Sequence, residues 1–483
     1  MTSFKSTFLS GTFYIGVAKY TGILCQLIIT AVLARILTPD DYGVIAIAMV
    51  FIFFFNTLSD IGIGVAVIQR KELTDDDLDH LYSLNVYIGI VLSSLFFASA
   101  RFISDYYGNV QLLHVCQLLS LLILFTCART VPMNLLYREK EFRFIAFSNL
   151  LVNAGSGVAA IFAALSGWGV YALVLSQVMS SLLLLVIFFL RHRRHFHLRV
   201  DLTPFKRVFS YSAYNFAGTI FIYFMLSIDK LLVGKFTGAR ALGYYEKSYS
   251  LVFLPINNIT FVITPVLHPL FSEFQDNLKE LERKFLKIIR AMAYISFPLS
   301  VIFFFVSKEL VLVFYGNQWY PAIPPFQIMS LAISFLILDT MVGSIYNAAN
   351  ETKRGFYTML AMSVVMIASV VVAIWLYNTI IAVAYAFLFA KIVGTLLNYY
   401  SLTHGLEGKF RHFLVCIDKP IIVSVILGGL MFVVSRFADV QNVFAALLLK
   451  SAIGAVLSLL LVHLLSEYNL FQLVRTGVNY IRR

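Results

Sequence analysis

Seven charged side chains set deep in apolar runs are the groups in this sequence best placed to do chemistry. Lys19, Lys230, Lys247 and Lys391 are the cations, and Asp229, Glu246 and Asp339 are the acids. A charge at membrane depth costs several kilocalories per mole unless it pairs or lines a water-filled cavity. Lysines spaced along one aqueous path would form a cationic cavity that binds an anion in steps, each contact modest enough to release it. Phosphate oxygens suit such charge-assisted contacts. The three acids are candidates for ion coupling, and the residues do not choose between a proton, sodium and no ion at all. Other charges have plainer readings. Arg35, Lys235 and Lys450 can snorkel toward an interface. Asp60 and Arg129, near inner run ends, read as helix caps or anchors. Asp229 beside Lys230, and Glu246 beside Lys247, are local partners or face different ways, since neighbours on a helix point about 100° apart.

Such residues need membrane helices to hold them, and composition supplies these. The chain has 483 residues, 60% hydrophobic and only 13% charged, with mean hydropathy +0.85. A soluble protein with those proportions would expose an apolar surface, so the solvent is lipid. Runs of about 20 apolar residues mark spans. Fourteen are predicted, near 11–37, 42–68, 81–102, 110–131, 144–165, 168–190, 211–235, 243–270, 288–313, 326–348, 355–377, 380–402, 413–435 and 443–465. They are continuous rather than alternating, which favours helices over barrel strands. The longest connection is about 191–210, and no soluble domain fits between spans.

Positive charge orients the chain. With the N-terminus inside, the inner loops collect Arg70 and Lys71, then Arg138, Lys140 and Arg143, then the 191–210 loop with Arg191, Arg193, Arg194 and Arg199. Lys279 to Lys287, Lys353 and Arg354, Lys409 and Arg411, and Arg475 to Arg483 continue the series, while the outer loops hold Arg240 and Arg436. One missed helix would scramble the alternation, so both termini are expected in the cytoplasm. The same bias explains the net charge of +12 without invoking nucleic acid, for which no reading pattern is present. His192-Arg193-Arg194-His195-Phe196-His197 lacks the spacing of a tight metal site and reads as a basic cytoplasmic loop. Cys25, Cys116, Cys127 and Cys416 read as free apolar residues. The first apolar run, long and without a small-residue cleavage site, is expected to remain as span 1.

A shift of 200 residues aligns two halves. Ala34-Arg35-Ile36-Leu37 with Tyr42-Gly43 corresponds to Gly234-Lys235-Phe236 with Leu242-Gly243. Each joins an odd span to an even one, so the copies share an orientation and fit two lobes about an axis along the membrane normal. Span 8 carries Pro255, Asn257, Asn258, Pro265 and Pro269, which bend a helix. Asn153, Gly155, Ser156 and Gly157 in span 5 permit close packing. Ile61-Gly62-Ile63-Gly64 sits inside a span and is not a nucleotide loop.

Three segments now bring a family into view: Ala34-Arg35-Ile36-Leu37-Thr38-Pro39-Asp40-Asp41-Tyr42-Gly43, Leu58-Ser59-Asp60-Ile61-Gly62, and Ala66-Val67-Ile68-Gln69-Arg70-Lys71. Together, within Gln26 to Lys71, they resemble the opening hairpin of bacterial polysaccharide transporters. These are the Wzx-type flippases of the multidrug/oligosaccharidyl-lipid/polysaccharide superfamily. Asp229-Lys230-Leu231-Leu232-Val233-Gly234, Leu242-Gly243-Tyr244-Tyr245 and Pro265-Val266-Leu267-His268-Pro269 resemble the start of that family's second lobe. The resemblance implies an all-α integral membrane protein with two six-helix lobes around a central cavity. Residues 1–200 would form the first lobe with its basic loop, 201–402 the second, and 403–483 two added spans and a cytoplasmic tail. It implies a flippase in the bacterial inner membrane, moving undecaprenyl-diphosphate-linked oligosaccharide outward by alternating access. Membrane lipid surrounds such a protein, and polysaccharide polymerase and chain-length machinery are the implied partners. No cofactor is expected; without an ATP-binding loop, energy comes from a proton or sodium gradient or from downstream consumption. The nearest competing function is an ion-coupled small-molecule or drug antiporter of the same superfamily. A membrane polymerase or ligase is disfavoured, because the outer loop 314–325 has no His, Asp or Glu.

Overall fold

The computed structural model describes residues 20–59, 62–70, 72–203, 205, 227–275, 277–437 and 440–466. Among them every regular element is helical. Ten described helices are long and apolar enough to cross a membrane, and a pair bent by 51° makes eleven if it counts as one span. Predicted spans 1 and 7 lie partly outside the described residues. The chain divides into two compact units, Met1–Gly243 and Tyr244–Arg483.

The first unit contains α1 (Tyr20–Ile36), α2 (Pro39–Ser59), α3 (Ile63–Gln69), α4 (Asp75–Tyr107), α5 (Gln111–Arg138), α6 (Phe142–Leu165) and α7 (Val170–Arg191). It also takes in a helical stretch at 227–236 and the first turn of α8 (Ala239–Ser272). Local chemistry sets the boundaries. Thr38 caps α2: its Oγ1 accepts from the Asp41 amide at 3.3 Å, and the Asp41 carboxylate accepts from the Thr38 amide at 2.9 Å. Pro39 follows as the first helical residue, where its missing N–H costs nothing. Thr74 and Asp77 form the same capping box on α4. Gly108, at φ 64°, ends α4 in a left-handed turn that glycine adopts without strain. Gly89 lets α4 close on α5, since a methyl there would sit 2.8 Å from Cys127 Cβ. Ile63, Val67, Leu78, Leu81, Val131 and Leu135 form one apolar cluster where α3, α4 and α5 meet.

Within the first unit the described loops gather at two ends. At one end Arg191 donates from Nε to Glu141 at 3.1 Å, and that guanidinium holds the Glu141 carboxyl below its ordinary range. At the other, the Tyr107 hydroxyl donates to the Leu231 carbonyl at 3.3 Å, and Lys235 Nζ lies 4.2 Å above the Tyr106 ring.

The basic segment after α7 lies along α4 as a strap. Asp75, Asp79, Ser83 and Tyr87 recur every fourth residue and so form one stripe. Arg194 meets Asp75 at 2.9 Å and Asp79 at 3.6 Å. The His197 amide donates to Ser83 Oγ at 2.9 Å, and the Tyr87 hydroxyl donates to the Leu198 carbonyl at 3.1 Å. His80 and His197 stack with centroids 4.5 Å apart beside the Asp76 carboxylate. One ligand atom each from Asp76, His80 and His197 falls within a 4.8 Å cluster. However, His80 Nδ1 accepts the Asp201 amide proton at 3.2 Å. In the neutral ring Nε2 therefore carries the proton and faces Asp76 as a donor, not as a ligand.

The second unit continues α8 and adds α9 (Leu278–Phe305), α10 (Ser307–Phe314), α11 (Ile323–Ser330), α12 (Ile333–Asp339), α13 (Val342–Ala348), α14 (Thr352–Tyr377), α15 (Ile380–Gly405), α16 (Phe410–Phe437) and α17 (Val443–Leu465). The predicted span 326–348 is not one straight helix. Hydroxyl groups compete for backbone partners at its breaks. The Ser334 amide donates to Ser300 Oγ at 2.8 Å, and Thr340 Oγ1 donates to the Ile337 carbonyl at 2.7 Å. The two C-terminal spans pack onto α9 through Tyr294, Val423 and Val462. Lipid-facing side chains stay exposed, among them Trp375 at 83%.

Candidate transport site

Polar side chains converge on the break between α12 and α13. Asp339 is the last residue of α12, and α13 begins at Val342. Lys391, Thr395 and Asn398 occupy one face of α15, at spacings of four and then three residues. Thr395 Oγ1 donates to the Asp339 carboxylate at 2.8 Å and Asn398 Nδ2 donates to it at 3.3 Å. Lys391 acts on the same carboxylate electrostatically, with its Nζ 5.5 Å from the Phe387 ring centroid. The Tyr346 hydroxyl reaches Asn398 Oδ1 at 3.3 Å, and the Tyr399 hydroxyl donates to the Leu338 carbonyl at 3.0 Å. Irregular backbone at membrane depth occurs where it is buried in protein or lines a cavity. A carboxylate there, ringed by hydroxyl and amide donors, can hold or exchange a cation.

The remaining predicted residues fall in separate places. Lys247, 6% exposed, lies over the faces of Tyr315 and Trp319 at 5.0 and 5.8 Å. Tyr315 is tied to Ser250 Oγ at 3.0 Å. This is a cation–π setting inside the second unit, with Glu246 adjacent in sequence. Asp229, 2% exposed, and the half-buried Lys230 belong to the first unit. Lys19 and Asp60 lie outside the described residues. Arg129, on α5, has a buried Nε with no hydrogen-bond partner among the described residues.

Sequence reasoning missed two features. Thr395 and Asn398 were legible as polar residues on the Lys391 face of an apolar helix. The buried pair Glu309–Lys450, at 2.6 Å between α10 and α17, had no local signal. Lys450 therefore does not simply snorkel; its ammonium ties the last helix to α10. A cavity of about 860 Å³ between α14 and α15 is lined by Val365, Val372, Leu376, Ile381, Tyr385 and Phe389, among others.

A helical membrane protein with a charged cluster at a helix break has the build of a transporter. The chain belongs to the polysaccharide biosynthesis protein family, whose profile matches residues 32–324, and so to the polysaccharide flippases of the superfamily named above. It is 24% identical over 461 residues to the teichuronic acid biosynthesis protein TuaB of Bacillus subtilis (strain 168), covering 94% of each chain. It is 26% identical over 426 residues to the lipopolysaccharide biosynthesis protein WzxC of Escherichia coli (strain K12), covering 87% of this chain and 86% of that one. The solved structure of the lipid II flippase MurJ in an inward closed conformation has a TM-score of 0.74 at 16% identity, covering 93% of this chain and 98% of that one. That last likeness is one of fold.

Proposed function

We propose that this protein flips undecaprenyl-diphosphate-linked oligosaccharide repeat units from the cytoplasmic to the outer leaflet of a bacterial inner membrane, by alternating access, for surface polysaccharide assembly. The family match supports the pathway, and the polar cluster at the α12–α13 break is the observation that carries a transport role. A diphosphate and its sugars cross hydrocarbon only if protein dipoles and charges replace their water. Lys230, Lys391 and Lys19 are the proposed headgroup contacts. Lys247, packed on two aromatic faces, is assigned to the architecture of the second unit. Asp339 is the proposed coupling site, with Asp229 and Glu246 as secondary candidates. Fourteen spans and cytoplasmic termini complete the reading, and the loop segregation in the first unit supports them. Polysaccharide polymerase and chain-length machinery are the proposed downstream partners.

Translocation of a lipid-linked oligosaccharide in liposomes tests the function. An ion contact of roughly 1.5–3 kcal/mol makes Lys230→Ala or Lys391→Ala cost about ten- to hundredfold in apparent affinity. Arginine at either position should retain part of the activity. Normal translocation by both alanine variants at normal membrane abundance would remove these lysines from the path. Cysteine labelling from either side of intact cells checks the termini; an outward C-terminus would defeat the fourteen-span topology.

A further inference from the structure

The internal repeat is visible as geometry at one place. The Leu37 amide donates to Leu33 at 2.8 Å, and the Thr237 amide donates to Val233 at 2.9 Å. The Tyr42 amide donates to Thr38 at 3.3 Å, and the Leu242 amide donates to Gly238 at 3.1 Å. Each pair of bonds is separated by 200 residues, so the two copies turn from one helix into the next in the same way.

These two turns cross each other, and the crossing is itself symmetric. A methyl on Gly43 would collide with the Ala239 carbonyl, and a methyl on Gly243 would collide with the Pro39 carbonyl. The Gly243 methyl position also lies 3.3 Å from the Gly43 amide nitrogen. Residues 39 and 43 of one copy thus meet 243 and 239 of the other. Asp40 and Arg240, again equivalent, pair across the crossing at 3.8 Å. All of these residues belong to the first unit, whose boundary falls directly after Gly243; α8 begins there and continues in the second unit.

Three properties suit this contact to opening. Its closest approaches are backbone against backbone, Gly43 to Ala239 and Gly243 to Pro39, so no side chain stands between the turns at those two points. Its ion pair is exposed, 69% at Arg240 and 56% at Asp40, and such a pair is weak and screened by salt. It lies at the end of the bundle opposite the basic loops, which the charge rule places outside.

We propose that the Gly43–Gly243 crossing is the outer seal of the transport path, and that it must part once in each cycle to release the headgroup. This rests on the transport reading above and adds the residues that close the exit. The two glycines are required because any side chain would wedge the turns apart, and Asp40–Arg240 is the clasp.

The first test is a lock. In a protein with Cys25, Cys116, Cys127 and Cys416 each changed to Ala, Asp40→Cys and Arg240→Cys are introduced together and joined by a short bifunctional thiol reagent. The joined variant should flip more than tenfold slower than the same variant before joining, with reversal when a cleavable reagent is reduced. Flipping that joining leaves unchanged overturns the proposal. The second test needs no transport. Ala34, fully buried, becomes the reporter as Ala34→Cys, labelled by a membrane-impermeant maleimide. Gly43→Ala or Gly243→Ala should raise its labelling rate several-fold at unchanged abundance, and an unchanged rate in folded variants overturns the seal. Failure of the cysteine-free parent to move any lipid-linked oligosaccharide would count against the flippase reading alone, because the labelling test would still decide the seal.

Discussion

Two carboxylates in the second unit are neutralised in opposite ways. Glu309, 6% exposed, has one strong partner: Lys450 lies 2.6 Å from Oε1, while Oε2 is buried with no hydrogen-bond partner among the described residues. Asp339 is half-buried, and both its oxygens receive neutral donors, from Thr395 and Asn398, with Lys391 in support. Glu309 depends on a single charge and fails if that charge is lost. Asp339 can change its own charge while the neutral groups of Thr395 and Asn398 stay hydrogen-bonded to it. A fixed ion pair suits an anchor for the last helix, and a distributed shell suits a site that must gain and lose a cation.

The sharpest way to break this contrast is to remove one half of the fixed pair. Glu309→Ala leaves a buried ammonium uncompensated, a loss of about 3–5 kcal/mol, and should lower membrane abundance steeply. Glu309→Leu with Lys450→Leu should recover the protein, because two apolar side chains leave no orphan charge. If the double variant is as depleted as the single one, the pair is more than an anchor. Asp339→Asn should behave in the reverse sense, with abundance held and gradient-driven translocation down about tenfold, equivalent to about 1.4 kcal/mol. Full activity of Asp339→Asn in liposomes with an imposed gradient would exclude it as the coupling group. The smallest effect is expected for Thr395→Val, which removes one of several donors, a change of about 1 kcal/mol. A shifted proton or sodium dependence with little loss of protein is the outcome to look for; loss of protein instead would make Thr395 a packing residue.

The contrast also shows what a sequence exposes. Apolar runs marked the helices because burial in lipid is a property of each segment alone. The 200-residue repeat was legible because it is written in residue order. Lys391 and Asp339 stood out as charges in hydrocarbon, and the spacing to Thr395 and Asn398 was available on the same helix. Glu309 was hidden because, next to Lys308 at the end of an apolar run, it looks like an interfacial residue. The break at Leu331 and Ala332, where the 51° bend falls, was hidden because the hydroxyl of Ser300, which takes the Ser334 amide, comes from another helix. Arg194 and Asp75 are 119 residues apart, and no local pattern predicts a contact at that range.

That strap along α4 has a consequence for the order in which the protein is made. Asp75, Asp76 and Asp79 leave the ribosome long before Arg194 and His197. At roughly 5–20 residues per second, the acids on α4 wait on the order of ten seconds for their partners. Until then the first turns of α4 carry these carboxylates without the groups that pair with them. Once residue 201 has emerged the pairs to Asp75, Asp76 and Asp79 can form, and α1 to α7 have by then been synthesised. The strap thus has all of its own contacts available before the helical stretch at 227–236 has been made.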